Sequence, residues 1–160
     1  MSLVSLLDRD LCFARLRIGT DESVLRYLSA ALLARGYVEN GFEQALLKRE
    51  REFPTALPTD GLKVAIPHTD SEHVRKSAVA VASVDPPVSF HVMGNPEEIL
   101  PVSVVFLLVI KDRDRQVEIL RELVGGVIRI PSLVEKVFDA TTGHDIYEVM
   151  IQGLECDSRT

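Results

Sequence analysis

The residues best suited to chemistry are a histidine and an arginine at the ends of two predicted elements. His68 directly follows Val64–Pro67, an apolar run that stops at a proline with a fixed backbone angle. Imidazole has an unperturbed pKa of about 6.5, so its nucleophilic neutral form is available near pH 7. Arg49 precedes it in the sequence, and a guanidinium is a preferred partner of phosphates and carboxylates. The two residues predict a histidine that accepts a charged group, with a phosphoryl group as the leading candidate.

A helix must carry the arginine and a strand must lead to the histidine. Asn40, with Glu43 three residues later, resembles a capping box at a helix start. The helical pattern continues to about Glu52 and stops before Pro54, as expected because the residue before a proline avoids helical angles. A short strand is predicted over Lys63–Ile66. These elements would hold both side chains on rigid backbone.

The faces of this helix predict which way the arginine points. Phe42, Leu46, Arg49 and Phe53 recur at three- and four-residue spacing, which places them on one stripe. Arg49 is therefore expected on the buried side, at the C-terminal end of the helix. The alternative is that Arg49 only complements the helix dipole there, although a surface arginine would serve the dipole equally well.

The other histidines offer a competing interpretation. His68 and His73, with Asp70 between them, have an H-x-D-x-x-H spacing that could ligate zinc in a metal-dependent hydrolase. Loop pairs of this kind are common and no third histidine or cysteine follows nearby, so no metal site is predicted. His91, in a weak strand pattern, and His144, at a helix start, are expected on the surface.

The remaining pattern predicts an α/β fold over residues 1–160, with a single mixed β-sheet of about five strands flanked by helices on both faces. In one helix the apolar face is predicted at Val117, Leu120 and Val124, and Gly125-Gly126 is expected to end it. The further elements are strands over Leu11–Ile18, Ser77–Val84, Val88–Met93 (a weak edge strand) and Val102–Ile110, and helices over Asp21–Arg35 (capped by Gly36), Asp114–Val124, Pro131–Phe138 and Asp145–Leu154.

Composition excludes several classes of function. A net charge of −6 argues against nucleic-acid binding through a basic face. No apolar run approaches the length of about 20 residues that spans a bilayer, so no membrane contact is expected. Cys12 and Cys156 are far apart and lack C-x-x-C spacing, which favours a reducing cytoplasm over a disulfide framework. The nucleotide motifs G-x-x-x-x-G-K-[ST] and G-x-G-x-x-G are absent. No cofactor is therefore expected, and a phosphoryl donor would be another protein.

Three segments around these residues resemble a known family. Arg49-Glu50, Pro54-Thr55-Ala56-Leu57 and Ala65-Ile66-Pro67-His68 stand in the order found in IIA components of the bacterial sugar phosphotransferase system, in the fructose–mannitol superfamily. Gln44–Thr55 is most similar to the galactitol-specific IIA. Mannitol and fructose members have a second histidine where this chain aligns Gln116, as galactitol-type members do.

The resemblance implies a phosphocarrier. His68 would be phosphorylated, on Nε2, by the phosphorylated histidine phosphocarrier protein, and would pass the group to a cysteine of a IIB component. A membrane IIC component would then move galactitol or a related sugar or polyol, which the IIA itself never touches. Arg49 would stabilise the charge of the transferred group, with Thr55, Thr69 and Gln116 as candidate binding residues. The alternative is a regulatory IIA-like module whose histidine phosphorylation controls a protein partner.

Overall fold

Two long antiparallel strands form the centre of the structure, a computed structural model that describes residues 2–158. Strands β4 (Ala78–Val92) and β5 (Asn95–Val109) pair from Ala78 opposite Val109 to a turn at Gly94, which has a positive φ of 78°. The predicted apolar runs lie in their fully buried halves. A continuous apolar sequence is typical of strands covered on both faces.

Three further strands complete a mixed, five-stranded sheet, which confirms the predicted fold class. Strand β1 (Leu7–Leu16) runs parallel to β4, and β3 (Lys63–Ala65) runs parallel to β5. The two-residue strand β2 (Ala56–Leu57) is antiparallel to β3 and also meets the end of β4. This last pairing ties the segment between the predicted helix and His68 into the sheet.

Helices cover both faces of the sheet, as predicted. The helices are α1 (Leu3–Leu6), α2 (Asp21–Ala34), α3 (Phe42–Glu52), α4 (Arg113–Leu123), α5 (Pro131–Asp139) and α6 (Gly143–Ser158). Ala80 and Ala82 of β4 pack in one core with α2 and α3, whereas Val79 and Val81 pack in a second core with the other four helices. Side chains alternate between the two faces along a strand, so the sheet contributes residues to both cores.

The predicted cap of α2 and the predicted start of α5 are confirmed. Gly36, at a φ of 79°, follows α2, where its N–H bonds the Leu33 carbonyl and the N–H of Tyr37 bonds the Leu32 carbonyl. This pair of bonds is a Schellman motif, which favours glycine because the left-handed conformation is strained for other residues. Pro131 is the first residue of α5.

Two strand predictions are wrong in extent. The predicted edge strand Val88–Met93 is instead the second half of β4, and its Phe90 is fully buried. The prolines at 86 and 87 fall where the β4–β5 register shifts, between Ser83 and Val88, and prolines are tolerated at such irregularities without ending a strand. The first strand begins at Leu7 rather than Leu11.

Two helix predictions also need correction. The capping box of Asn40 and Glu43 is not formed; α3 begins after Gly41, whose φ of 99° suits glycine. In α4, Val117 is 52% exposed and Ile119 and Leu123 are buried instead. The chain does not leave the helix at Gly125-Gly126 but continues through a π-helical turn, Val124–Ile128.

Within residues 2–158, no helix is both long and apolar enough to cross a membrane.

Candidate functional site

Backbone contacts hold His68 at the end of the central sheet. The N–H of Leu108 donates to the Pro67 carbonyl at 3.0 Å, and His68 forms a parallel bridge with Leu108. The half-buried imidazole places its Nδ1 2.8 Å from the Ile66 carbonyl oxygen. A carbonyl can only accept, so Nδ1 carries the proton and the neutral ring keeps a lone pair on Nε2. The sequence left open which group orients this ring; the structure assigns it to the backbone of Ile66.

A buried carboxylate connects α3 to the strand that leads to His68. Thr55 is 2% exposed, its N–H donates to Glu50 Oε2 at 2.9 Å, and its hydroxyl donates to Glu50 Oε1 at 2.8 Å. The carbonyl of Thr55 accepts from the N–H of Ile66 at 3.2 Å. A chain of hydrogen bonds therefore runs from Glu50 through Thr55 and Ile66 to the imidazole of His68.

The environment of Glu50 is unfavourable for its charge. The side chain is only 7% exposed, and burial raises its pKa to about 7 from an ordinary value of 4.5. The two hydrogen bonds from Thr55 act in the opposite direction, and the charge of Asp21 raises the pKa further. Glu50 lies beside a cavity of about 430 Å³ that Asp21, Glu22, Arg51 and His91 also face.

Arg49 is half-buried, between the buried Glu50 and the exposed Lys48 of α3, so the prediction that it lies on the buried side is only partly confirmed. Its guanidinium carbon sits 4.5 Å over the ring of Phe53, a distance suited to a cation–π contact. The predicted stripe is wrong at Phe53, which is 57% exposed because the backbone has left the helix there. Among the described residues, the half-buried Arg49 has a buried Nε without a hydrogen-bond partner. This buried donor is therefore unsatisfied.

Two other predicted site residues contact each other next to His68 in the chain. The side-chain amide of Gln116, near the start of α4, donates to the carbonyl of Thr69 at 3.2 Å. Thr69 is itself buried. The contact fixes the start of α4 against the residue that follows His68.

The three side chains of the zinc alternative have separate partners. The ring of His68 bonds Ile66, whereas Asp70 pairs with Arg113 at 3.7 Å. His73 packs against Gly41, where an added Cβ would lie 3.0 Å from the imidazole. Nowhere in the described part of the chain do three His, Cys, Asp or Glu side chains group so as to hold a metal ion. The hydrolase interpretation therefore has no support in this geometry.

Glu50 is the site residue that the sequence interpretation missed. The predicted stripe runs through Arg49 and places Glu50 about 100° away around the helix, outside the buried face. Leu46 and Leu47 are buried, and Glu50 follows them by four and three residues, so it continues their face of the helix. This spacing is the signal in the sequence that could have placed Glu50 inside.

Known proteins resemble this chain over most of its length. The family model described as "Phosphoenolpyruvate-dependent sugar phosphotransferase system, EIIA 2" matches residues 5–153. The chain is 32% identical over 112 residues to the galactitol-specific EIIA component of Escherichia coli strain K12, covering 70% of this chain and 73% of that protein. It is also 30% identical over 92 residues to the transcriptional regulator ManR of Bacillus subtilis strain 168, covering 58% of this chain and 13% of that protein.

Solved structures show the same fold. Enzyme IIAMTL of Escherichia coli, solved in complex with phosphorylated enzyme IIBMTL, aligns with a TM-score of 0.73 at 23% identity, covering 92% of this chain and 99% of that one. The matching segments in the sequence, the mixed sheet and the family model all point to one assignment. The chain belongs to the EIIA 2 family of the phosphoenolpyruvate-dependent sugar phosphotransferase system.

Proposed function

We propose that this protein carries a phosphoryl group on Nε2 of His68. The phosphorylated histidine phosphocarrier protein is the donor, and a cysteine of a IIB component is the acceptor. IIA components of this system transfer phosphoryl groups. The observation that carries the proposal is the hydrogen bond from Nδ1–H to the Ile66 carbonyl, because it leaves the lone pair of the neutral ring on Nε2.

Each transfer exchanges one bond to phosphorus for another. The Nε2 lone pair of His68 attacks phosphorus while the P–N bond of the donor breaks, and its electron pair returns to the donor's ring nitrogen. In the second transfer a cysteine thiolate forms the P–S bond, and the electron pair of the Nε2–P bond returns to the imidazole of His68. Nδ1 keeps its proton throughout, held by the Ile66 carbonyl.

Arg49 supplies the positive charge for these steps. The transition state of phosphoryl transfer is loose and spreads negative charge over the equatorial oxygens. The unpartnered Nε of Arg49 and the rest of its guanidinium can donate to such oxygens in parallel. Thr55 and the pair formed by Thr69 and Gln116 hold the backbone on either side of His68. We assign these three residues to shaping the site.

The physiological role that we propose is uptake of galactitol or a related polyol through a membrane IIC component. The 32% identical relative is a galactitol-specific EIIA, and the fold is that of a IIA solved with its IIB. The similarity to ManR supports a second candidate, in which phosphorylation of the same histidine regulates a protein partner. Transfer of label to a IIB cysteine supports the transport role, and its absence with a phosphorylated His68 favours regulation.

The test is phosphoryl acceptance by variants in which one histidine at a time is replaced by alanine. Each variant is incubated with labelled phosphoenolpyruvate, the phosphocarrier protein and the kinase that phosphorylates that carrier. We expect His68→Ala to accept no label, whereas label is accepted at the wild-type level by His73→Ala, His91→Ala and His144→Ala. Acid-labile and base-stable label identifies a phosphohistidine. Label that persists at wild-type level on folded His68→Ala protein would overturn the proposal.

A further inference from the structure

We propose that Glu50 is a positioning residue for His68 and acts through the hydrogen bonds of Thr55 and Ile66. The inference rests on the proposed function of His68. Glu50 lies on α3, whereas His68 follows β3. An effect of Glu50 on His68 must therefore pass through the contacts between these two elements.

Each hydrogen bond between Glu50 and His68 has a defined donor and acceptor. Both carboxylate oxygens of Glu50 are used, one by the N–H of Thr55 and the other by its hydroxyl. Thr55 is thereby held as a unit, and its carbonyl receives the N–H of Ile66. The carbonyl of that same Ile66 peptide unit holds Nδ1–H of His68. A displacement of Thr55 therefore moves the group that sets the tautomer and direction of the imidazole.

Stability alone does not explain a carboxylate at this position. Burial of a charged group costs free energy unless hydrogen bonds compensate it, and the raised pKa of Glu50 shows that compensation is incomplete. Glu50 also lies in the last turn of α3, where the helix dipole disfavours a negative charge. What the carboxylate provides is two acceptor oxygens that meet the two donors of Thr55 at once.

The test is a series that separates hydrogen bonding from charge. Glu50→Ala removes both bonds, and Glu50→Asp keeps the charge but draws the oxygens back by one methylene. Glu50→Gln keeps the bonds, because its carbonyl accepts from the Thr55 N–H while its amide donates to the hydroxyl oxygen. Leu47→Ala is the matched control: it removes buried volume from the same helix and leaves the hydrogen bonds intact.

Two measurements at pH 8 report on the histidine. The ¹⁵N shifts of the His68 ring give the tautomer ratio without any transfer, and single-turnover acceptance from the phosphorylated carrier gives the rate. We expect the alanine and aspartate variants to move the ring toward the Nε2–H tautomer. Their rates should fall about ten- to a hundredfold, the scale for a misplacement of about 1 Å. The glutamine variant and Leu47→Ala should keep wild-type ring shifts and rates.

The outcomes distinguish this inference from the function on which it rests. Wild-type ring shifts and rates in folded Glu50→Ala and Glu50→Asp would overturn it. A glutamine variant as slow as the alanine variant would also overturn it, since the effect would then come from charge. If Glu50→Ala does not fold, the aspartate and glutamine variants decide. If His68→Ala still accepts label, the proposed function fails, whereas the ring shifts still test the positioning.

Discussion

The buried carboxylate of Glu50 makes the stability of this protein depend on pH in an unusual direction. In the folded state its pKa lies at about 7, against 4.5 for an ordinary glutamate, chiefly because of burial. Between these two values the folded chain binds more protons than the unfolded chain. The linkage relation then requires the free energy of unfolding to fall as pH rises from about 4.5 to 7, and to level off above 7.

The size of this effect follows from the shift. The difference between 7 and 4.5, at about 1.4 kcal/mol per pKa unit, gives roughly 3 kcal/mol over the whole range. Between pH 5 and pH 8 the expected loss is about 2–3 kcal/mol. For a chain of 160 residues this corresponds to a fall of about 4–12 °C in melting temperature. Glu50→Gln removes the titration while keeping an isosteric side chain, so its stability should lack this component.

The assay is urea unfolding, followed by circular dichroism, of wild type and Glu50→Gln at pH 5, 6, 7 and 8. The quantity of interest is the stability of the wild type minus that of the variant, because other titrating groups cancel in this difference. It should fall by about 2–3 kcal/mol across the series. Leu47→Ala, which changes buried volume on the same helix but no titratable group, should show a difference that barely changes with pH. A constant or rising difference for Glu50→Gln would refute the electrostatic argument.

Two further predictions use pairs of similar residues with different surroundings. Arg49→Gln should slow phosphoryl transfer about 10²–10³-fold, the scale for the loss of one preorganised donor, without lowering the melting temperature. Arg51→Gln, whose exposed side chain lies 3.8 Å from a glutamate of α2, should be nearly silent, and equal rates for wild type and Arg49→Gln would end the claim. Gly143→Ala should lower the free energy of unfolding by about 1–3 kcal/mol or more. The reason is that the new Cβ would lie 2.0 Å from the Cys12 carbonyl oxygen. At Gly19 a Cβ would meet nothing within 4 Å, so Gly19→Ala should leave the free energy of unfolding, measured by chemical denaturation, unchanged or slightly higher. A Gly143→Ala variant as stable as wild type would contradict the packing argument.

Local patterns were sufficient for the elements that carry their own signals. The apolar runs of β4 and β5 predicted strands buried on both faces, and Gly36 and Pro131 marked a helix end and a helix start. The order of the segments around Arg49 and His68 identified the family, which the family model confirms. These features depend on neighbours within a few residues, and such interactions can be judged from sequence alone.

Features that depend on pairing between distant segments were predicted less well. The apolar pattern predicted two separate strands, Ser77–Val84 and Val88–Met93, yet pairing with β5 carries β4 through to Val92. The apolar face of α4 was assigned to Val117, although the packing of α4 on the sheet buries Ile119 and Leu123. In both cases the local pattern admitted two solutions, and contacts made elsewhere in the fold selected one.

The site shows the same division. The sequence by itself determined that a histidine follows a proline at the end of a strand and that an arginine lies near the end of the preceding helix. Only the tertiary structure decided that Ile66 orients the imidazole and that Glu50 is buried against Thr55. The tautomer of a histidine and the pKa of a carboxylate depend on distances of about 3 Å between groups on different elements. Those distances exist only once the helix, the two short strands and the central hairpin have packed together.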